Sequence, residues 1–160
     1  MGDEEALWAP MIAGFQEVAE YGYEKGILVG LQNHNHNNLT RTGDDMLRAL
    51  RETDRPYFTH ILDTGQYAGS PGASGHLGQS HPGYDCYDSI AKTAPHAVYV
   101  RAKFYRIDSG IEEWLDYPRI LEILRGVGYN GPLSVVYEGE SDPIESMRKA
   151  GGYLRSLINS

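Results

Sequence analysis

The sequence predicts an α/β fold built on a parallel sheet. Four short runs rich in Val, Ile, Leu and Tyr, at 27–33, 57–63, 97–104 and 132–138, begin 30, 40 and 35 residues apart. Helical patterns fill the gaps. Connections of that length are too long for hairpins, so strands alternating with helices read as successive βα units. With 160 residues and 41% apolar content, the chain suits a single domain, residues 1–160, with its own core.

The elements can be justified in order. The first helix has Leu7, Met11, Phe15 and Val18 on one face and stops near Gly26, with Pro10 marking a kink or the true first turn. After strand 27–33, a second helix follows Thr42-Gly43-Asp44-Asp45 and would bury Met46, Leu47 and Leu50. Strand 57–63 leads into an anomalous connection: residues 65–83 hold six Gly, two Pro and three Ser. A loop of that length in a compact domain reads either as a functional lid or as mobile surface. A short helix lies between Tyr84 and Thr93 and ends at Pro95. Strand 97–104 precedes a helix that starts after Asp116-Tyr117-Pro118 and would bury Ile120, Leu121, Leu124 and Val127. Behind strand 132–138, Asp142, Pro143 and Glu145 form a capping-box pattern for a last helix. Its core face reads as Ile144, Met147, Leu154 and Leu157.

Charge narrows the partners. Fourteen Lys and Arg against 22 Asp and Glu give −8, with no basic stripe to follow a phosphate backbone, which argues against nucleic acid. The single Cys86 allows no internal disulfide and belongs to no Cys metal motif. The acidic start Met1-Gly2-Asp3-Glu4-Glu5 lacks a leader pattern, and no apolar run approaches a membrane span, so a cytoplasmic protein is expected.

Alternation along a strand sends residues i and i+2 to one face. With Asp63 taken as inward, each run ends in polar groups on that face: Gln32 and His34, Asp63, Arg101 and Lys103, and Glu138. Ligands in parallel α/β folds bind beyond the carboxyl ends of strands, so this rim is the candidate site. Plainer readings stay open. Asp63-Thr64-Gly65 also fits an Asx turn, Glu138-Gly139-Glu140 a solvated exit, and Arg101 with Lys103 a structural ion network. In 33–38 the pair His34 and His36 has chelating spacing, although His36 also fits polar loop. His60 points away from the rim and should be hydrogen-bonded against a helix; His76, His81 and His96 carry no signal. No nucleophile elbow, P-loop or dinucleotide fingerprint is present.

Certain stretches resemble the xylose isomerase-like TIM barrels, a family of sugar phosphate isomerases and epimerases. They are Ile27-Leu28-Val29-Gly30-Leu31-Gln32-Asn33-His34, Ile61-Leu62-Asp63-Thr64-Gly65, Tyr117-Pro118-Arg119-Ile120-Leu121, Gly128-Tyr129-Asn130-Gly131-Pro132-Leu133-Ser134 and Tyr137-Glu138-Gly139. The resemblance covers nearly the whole chain but only the C-terminal half of the barrel, and so implies a (βα)4 half of a TIM barrel. It further implies a divalent metal (Mn, Mg or Zn) held by Glu, Asp, His and Glu on the last four strands. Those places read here as Gln32, Asp63, Arg101 and Val136, with Glu138 two residues on, so three of four ligands are altered. A surviving metal would use Asp63, Glu138 and His34. The Gly-rich insertion and Lys103-Phe104-Tyr105-Arg106-Ile107-Asp108 are similar to barrels acting on oxidised glycosides, including C-glycoside-cleaving enzymes.

A (βα)4 sheet leaves two edges and an apolar concave face open, and eight strands would close it. A homodimer with the 27–33 strand of one copy beside the 132–138 strand of the other is the expected solution. Two functions follow. One is a sugar or sugar-phosphate isomerase or epimerase, with Glu138 or Asp63 as base, Arg101 or Lys103 stabilising an enediolate oxygen, and Gln32, His34 and Arg101 binding the carbohydrate. The other is a non-catalytic half-barrel, a scaffold or carbohydrate-binding protein, which the altered ligand positions favour.

Overall fold

The computed structural model describes residues 4–36, 38–72 and 83–160. Its elements run α1 (Glu4–Glu24), β1 (Val29–Gln32), α2 (Gly43–Thr53), β2 (Phe58–Asp63), α3 (Cys86–Thr93), a 3-10 turn (Ala94–His96), β3 (Ala97–Phe104), α4 (Tyr117–Gly126), β4 (Leu133–Tyr137) and α5 (Pro143–Ile158). All four strands are parallel and lie in chain order, β1-β2-β3-β4. The α/β expectation and the half-barrel are both met.

Helix ends follow the local chemistry. The Thr42 hydroxyl accepts from Asp45 N–H at 3.2 Å while the Asp45 carboxylate accepts from Thr42 N–H at 3.1 Å, a reciprocal capping box. Asp116 and Asp142 cap α4 and α5 by accepting from Arg119 N–H and Glu145 N–H. Pro10 lies inside α1 rather than at its start.

One face of the sheet packs on helices. Leu62, Val100, Ala102 and Phe104 are fully or almost fully buried there, with Phe104 stacked on Tyr117 at 4.4 Å between ring centroids. His60 is buried on this face; its Nδ1 lies 2.9 Å from Leu31 O and its Nε2 3.1 Å from Tyr67 Oη. The opposite, concave face carries Thr59, Ile61 and Asp63 of β2 and Tyr99, Arg101 and Lys103 of β3. An irregularity at His60/Ile61 gives β3 an extra residue, after which Ile61 pairs with Tyr99 and Asp63 with Arg101. That register sets the site.

Two helix faces differ from the sequence expectation. In α1 the buried residues are Trp8, Ile12, Ala19 and Gly22, while Leu7 and Val18 are exposed. In α5 they are Ser146, Ala150 and Leu154, while Ile144 and Met147 are exposed. Small residues meet the sheet because the helices approach closely: a Cβ on Gly22 would lie 2.7 Å from Val29 Cγ2. The bulky stripes therefore face sideways. Val127, expected in the core, caps the end of α4 and is also exposed.

The Gly-rich connection begins inside the fold. Residues 64–70 are buried, and Tyr67 Oη also lies 2.7 Å from Thr93 Oγ1, fastening the connection to α3. The part of the expected lid at 73–82, with His76 and His81, lies outside the described residues.

Candidate functional site

The carboxyl ends of the four strands deliver one polar side chain each, or two, to the concave rim. At its centre is Asp63, fully buried at the end of β2. Its backbone is held by Asn33: Asp63 N–H donates to Asn33 Oδ1 at 2.8 Å and Asn33 Nδ2 donates to Asp63 O at 3.0 Å. The Asn33 amide thus continues the β1–β2 ladder one step past the end of β1. Asp63 Oδ1 accepts from Gly65 N–H at 3.0 Å, so the Asx turn forms as well. Oδ2 faces the rim.

Three donors surround that oxygen. Lys103 Nζ lies 3.3 Å away, Gln32 Nε2 3.3 Å and Arg101 Nε 3.5 Å. Arg101 Nη1 in turn donates to Gln32 Oε1 at 2.6 Å. Lys103 is 1% exposed and also pairs with Glu138 Oε1. Glu138 Oε2 accepts from Gln66 Nε2 at 3.2 Å, and almost half of the Glu138 side chain remains exposed. Charges therefore alternate across the rim: Glu138, Lys103, Asp63, Arg101.

Burial and charge oppose each other at Asp63. Burial pushes its carboxyl above the ordinary value, against the pull of Lys103, the Gly65 N–H and Arg101. His34 sits at the edge of this cluster with its imidazole held below the usual value, first by desolvation, then by His36 and Lys103. Its Nδ1 lies 3.3 Å from His36 N and 3.2 Å from Asn38 Nδ2, so it is turned into its own loop.

The structure thus joins Gln32, Asp63, Arg101, Lys103 and Glu138 into one network and leaves His34 beside it. It does not assemble the expected metal set. Among the described residues no three His, Cys, Asp or Glu side chains are placed to hold a metal ion. The reason is visible at Asp63 and Glu138, whose facing oxygens already receive an ammonium, a guanidinium and two amides. A divalent cation would have to enter against two positive side chains, so this donor set does not fit one.

Sequence reasoning missed several supporting residues. Thr64 Oγ1 accepts from Lys103 N–H at 2.9 Å, and Tyr117 Oη donates to Lys103 O, together fixing the strand segment that carries the lysine. Tyr105 Oη donates to Gly65 O at 2.9 Å, and Glu112 accepts from the Tyr105, Arg106 and Trp114 N–H groups, holding the turn after β3. Gln66 was within reach of a sequence reading, since it follows Asp63-Thr64-Gly65 directly; Glu112 gave no such signal. At the other end of the strands a hollow of about 860 Å³ is lined by Leu47, Arg51, Asp54, Arg55, Phe58 and His96, among others.

The family model for the xylose isomerase-like TIM barrel matches residues 2–157. A xylose isomerase-like TIM-barrel protein from Mycobacterium smegmatis, solved in complex with magnesium, superposes with a TM-score of 0.71 at 18% identity, covering 98% of this chain and 52% of that one. The 3-keto-D-glucoside 4-epimerase of E. coli superposes with a TM-score of 0.65 at 21% identity over 91% of this chain and 52% of the other. These likenesses show the fold. In sequence, the C-glycoside deglycosidase alpha subunit of Arthrobacter globiformis is 40% identical over 72 residues, covering 40% of this chain and 20% of that protein. The chain spans about half the length of these solved relatives.

Proposed function

The chain belongs to the xylose isomerase-like TIM-barrel family, and from that premise we propose that it moves a proton next to the carbonyl of a sugar, as an isomerase or epimerase does. Glu138 is the observation that carries this reading: it is the one carboxylate of the network with a substantial open edge, and it is anchored on a buried lysine. In the step, Glu138 takes the proton from the carbon beside the carbonyl. The bonding electrons move into a carbon–carbon double bond, and negative charge develops on the former carbonyl oxygen. Lys103 and Arg101 supply the positive charge for that oxygen. For isomerisation, Glu138 returns the proton to the former carbonyl carbon, while the hydroxyl proton of the carbon it left passes to the former carbonyl oxygen. For epimerisation, solvent protonates the original carbon from the opposite face as Glu138 gives its proton to solvent. Gln32 and His34 flank the ligand. No step runs through a metal, because the donor set does not fit one.

The substrate class is a ketose, a sugar phosphate or a glycoside that carries a ketone; a glycoside is in keeping with the name of the similar C-glycoside deglycosidase subunit. On such a ketone the same proton abstraction sets up elimination, the lyase form of the reading. A cytoplasmic setting belongs to the same proposal. The second reading is a half-barrel that binds carbohydrate without turnover. It is favoured by Asp63 and Glu138, which are both already engaged by cations of the chain itself.

Proton NMR in deuterated buffer tests both. Deuterium uptake beside the carbonyl of a ketose or 3-keto-glucoside, abolished in Glu138→Gln with the circular dichroism unchanged and unaffected by a chelator, is the expected result. Saturable binding without uptake would leave the second reading, and uptake that survives Glu138→Gln would remove Glu138 from its role.

A further inference from the structure

The two end helices carry matching stripes that nothing among the described residues covers. On α1, Leu7, Gly14 and Tyr21 recur every seven residues, with Val18 beside them; Leu7, Val18 and Tyr21 are 55%, 44% and 61% exposed. On α5, Ile144, Gly151 and Ile158 recur every seven residues, with Met147 beside them; Ile144, Met147 and Ile158 are 60%, 44% and 47% exposed. Seven residues are close to two helical turns, so each set forms one row along its helix.

Each row lies on the flank away from the neighbouring helix. The other side of α1 is occupied by α2, through Arg48 to Glu5 and Arg48 over the Trp8 ring, and by Arg55, just past α2, to Glu20. The other side of α5 is occupied by α4, through Tyr153 against Tyr117 and Arg125 to Leu157 O. Beneath the rows, among the described residues β1 pairs with β2 alone and β4 with β3 alone, so each end of the sheet presents one unpaired strand edge there. Leu28, ahead of β1, and Tyr99 on the concave face are likewise exposed.

The two ends complement one another. Both rows are large–Gly–large. A Cβ on Gly14 would meet nothing within 4 Å, and one on Gly151 only the Arg155 guanidinium, so the middle of each row is open to close helix approach. The outer rim of the α1 row is acidic, with Glu17 and Glu24; that of the α5 row is basic, with Arg148 and Arg155. Among the described residues Glu17, Glu24 and Arg155 are in no ion pair, and Arg148 reaches Glu145 only at 4.0 Å. Lys25, folded over Tyr21 at the end of α1, is the exception to that polarity. Because α1 and α5 both run back down from the strand ends, they would lie parallel if the sheet edges met. With Gly14 level with Gly151, Leu7 falls beside Ile144, Tyr21 beside Ile158, and Glu17 within one residue of Arg155.

We infer that the occupant of both edges is a second copy of this chain, docked by a two-fold axis so that α1 and β1 of each copy meet α5 and β4 of the other. The two contacts are identical and close eight strands into a ring, leaving no edge. Self-complementarity is what selects a second copy over an unrelated partner: acid, base and both glycine-centred rows are on one chain.

Charge exchange tests it by light scattering after size exclusion. The chain itself is expected to be a dimer. Glu17→Lys with Glu24→Lys, or Arg148→Glu with Arg155→Glu, places like charges at both contacts and should weaken the dimer at least tenfold. An equimolar mixture of the two variants pairs opposite charges at both contacts and should restore a dimer, as should one chain carrying all four substitutions. A monomeric or open-ended parent, variants that dimerise alone as before, or a mixture that stays monomeric would each overturn the inference.

Discussion

Arg101 Nη1 donates to Gln32 Oε1 at 2.6 Å, across β2, while its Nε stands 3.5 Å from Asp63. A guanidinium therefore stands where the family resemblance places a histidine ligand, and the Gln32 amide stands where it places a carboxylate. The expected consequence is a gain of function: Gln32→Glu, Arg101→His and Val136→Glu together should bind Mn²⁺ at micromolar concentration by calorimetry, whereas the parent should not. Parent and triple variant binding equally would show that Arg101 is not what keeps a cation out.

Lys103 carries the heaviest energetic load of the network. It is 1% exposed beside a fully buried Asp63. Lys103→Met leaves that carboxylate short of its nearest full charge and should cost about 3–5 kcal/mol in urea denaturation. Adding Asp63→Asn should recover much of the loss, because an amide needs no counter-charge. Equal instability of single and double variants would mean that packing, not charge, makes the lysine necessary.

His60 should make the fold acid-sensitive. Burial lowers its imidazole from 6.5 to about 4. The unfolded chain binds this proton below about 6.5 and the folded chain only below about 4, so stability falls as pH drops through that window, by roughly 3 kcal/mol in full. Burial raises the carboxyls of Asp63 and Glu112, whose contributions run the other way on acidification. The clean readout is thus the difference between the parent and His60→Gln, compared at pH 7 and pH 4.5. A variant with the same pH slope as the parent would remove His60 as the source.

Gly43 and Gly152 separate a contact from a propensity. A Cβ on Gly43 would lie 2.8 Å from Ser89 Cα and 3.0 Å from Ser89 O, where α2 abuts α3. Gly43→Ala should therefore cost about 1–3 kcal/mol. A Cβ on Gly152, inside α5, meets nothing within 4 Å, so Gly152→Ala should stabilise by about 0.5–1 kcal/mol. Thermal melts that move both variants the same way would contradict the packing described at Gly43.

The strands were legible because both of their signals are local: β-branched runs gave their positions, and period-two alternation gave the shared face of Gln32, Asp63, Arg101, Lys103 and Glu138. Helix limits were legible through Asp116 and Asp142, which cap as their spacing suggests. The buried faces of α1 and α5 were not. Apolar bulk was read as core, yet Ala19, Gly22, Ser146 and Ala150 take the sheet side because close helix–sheet approach selects small residues. Pairing within the site was also hidden, since whether Lys103 meets Glu138, Asp63 or both depends on registers between strands that no single strand encodes. The bulky residues of those helices, Leu7, Val18, Ile144 and Met147, lie exposed on the sideways rows instead.

The strand order of the sheet bears on how the chain acquires its shape. Each strand pairs with the one synthesised just before it, and none is inserted between two already joined. As the polypeptide leaves the ribosome, every new βα unit can add to a finished edge without waiting for later segments or displacing earlier ones. Assembly by accretion of this kind keeps the sequence separation of strand contacts to a single crossover, the least that a parallel sheet allows, and so lowers the loop-closure cost of each added strand.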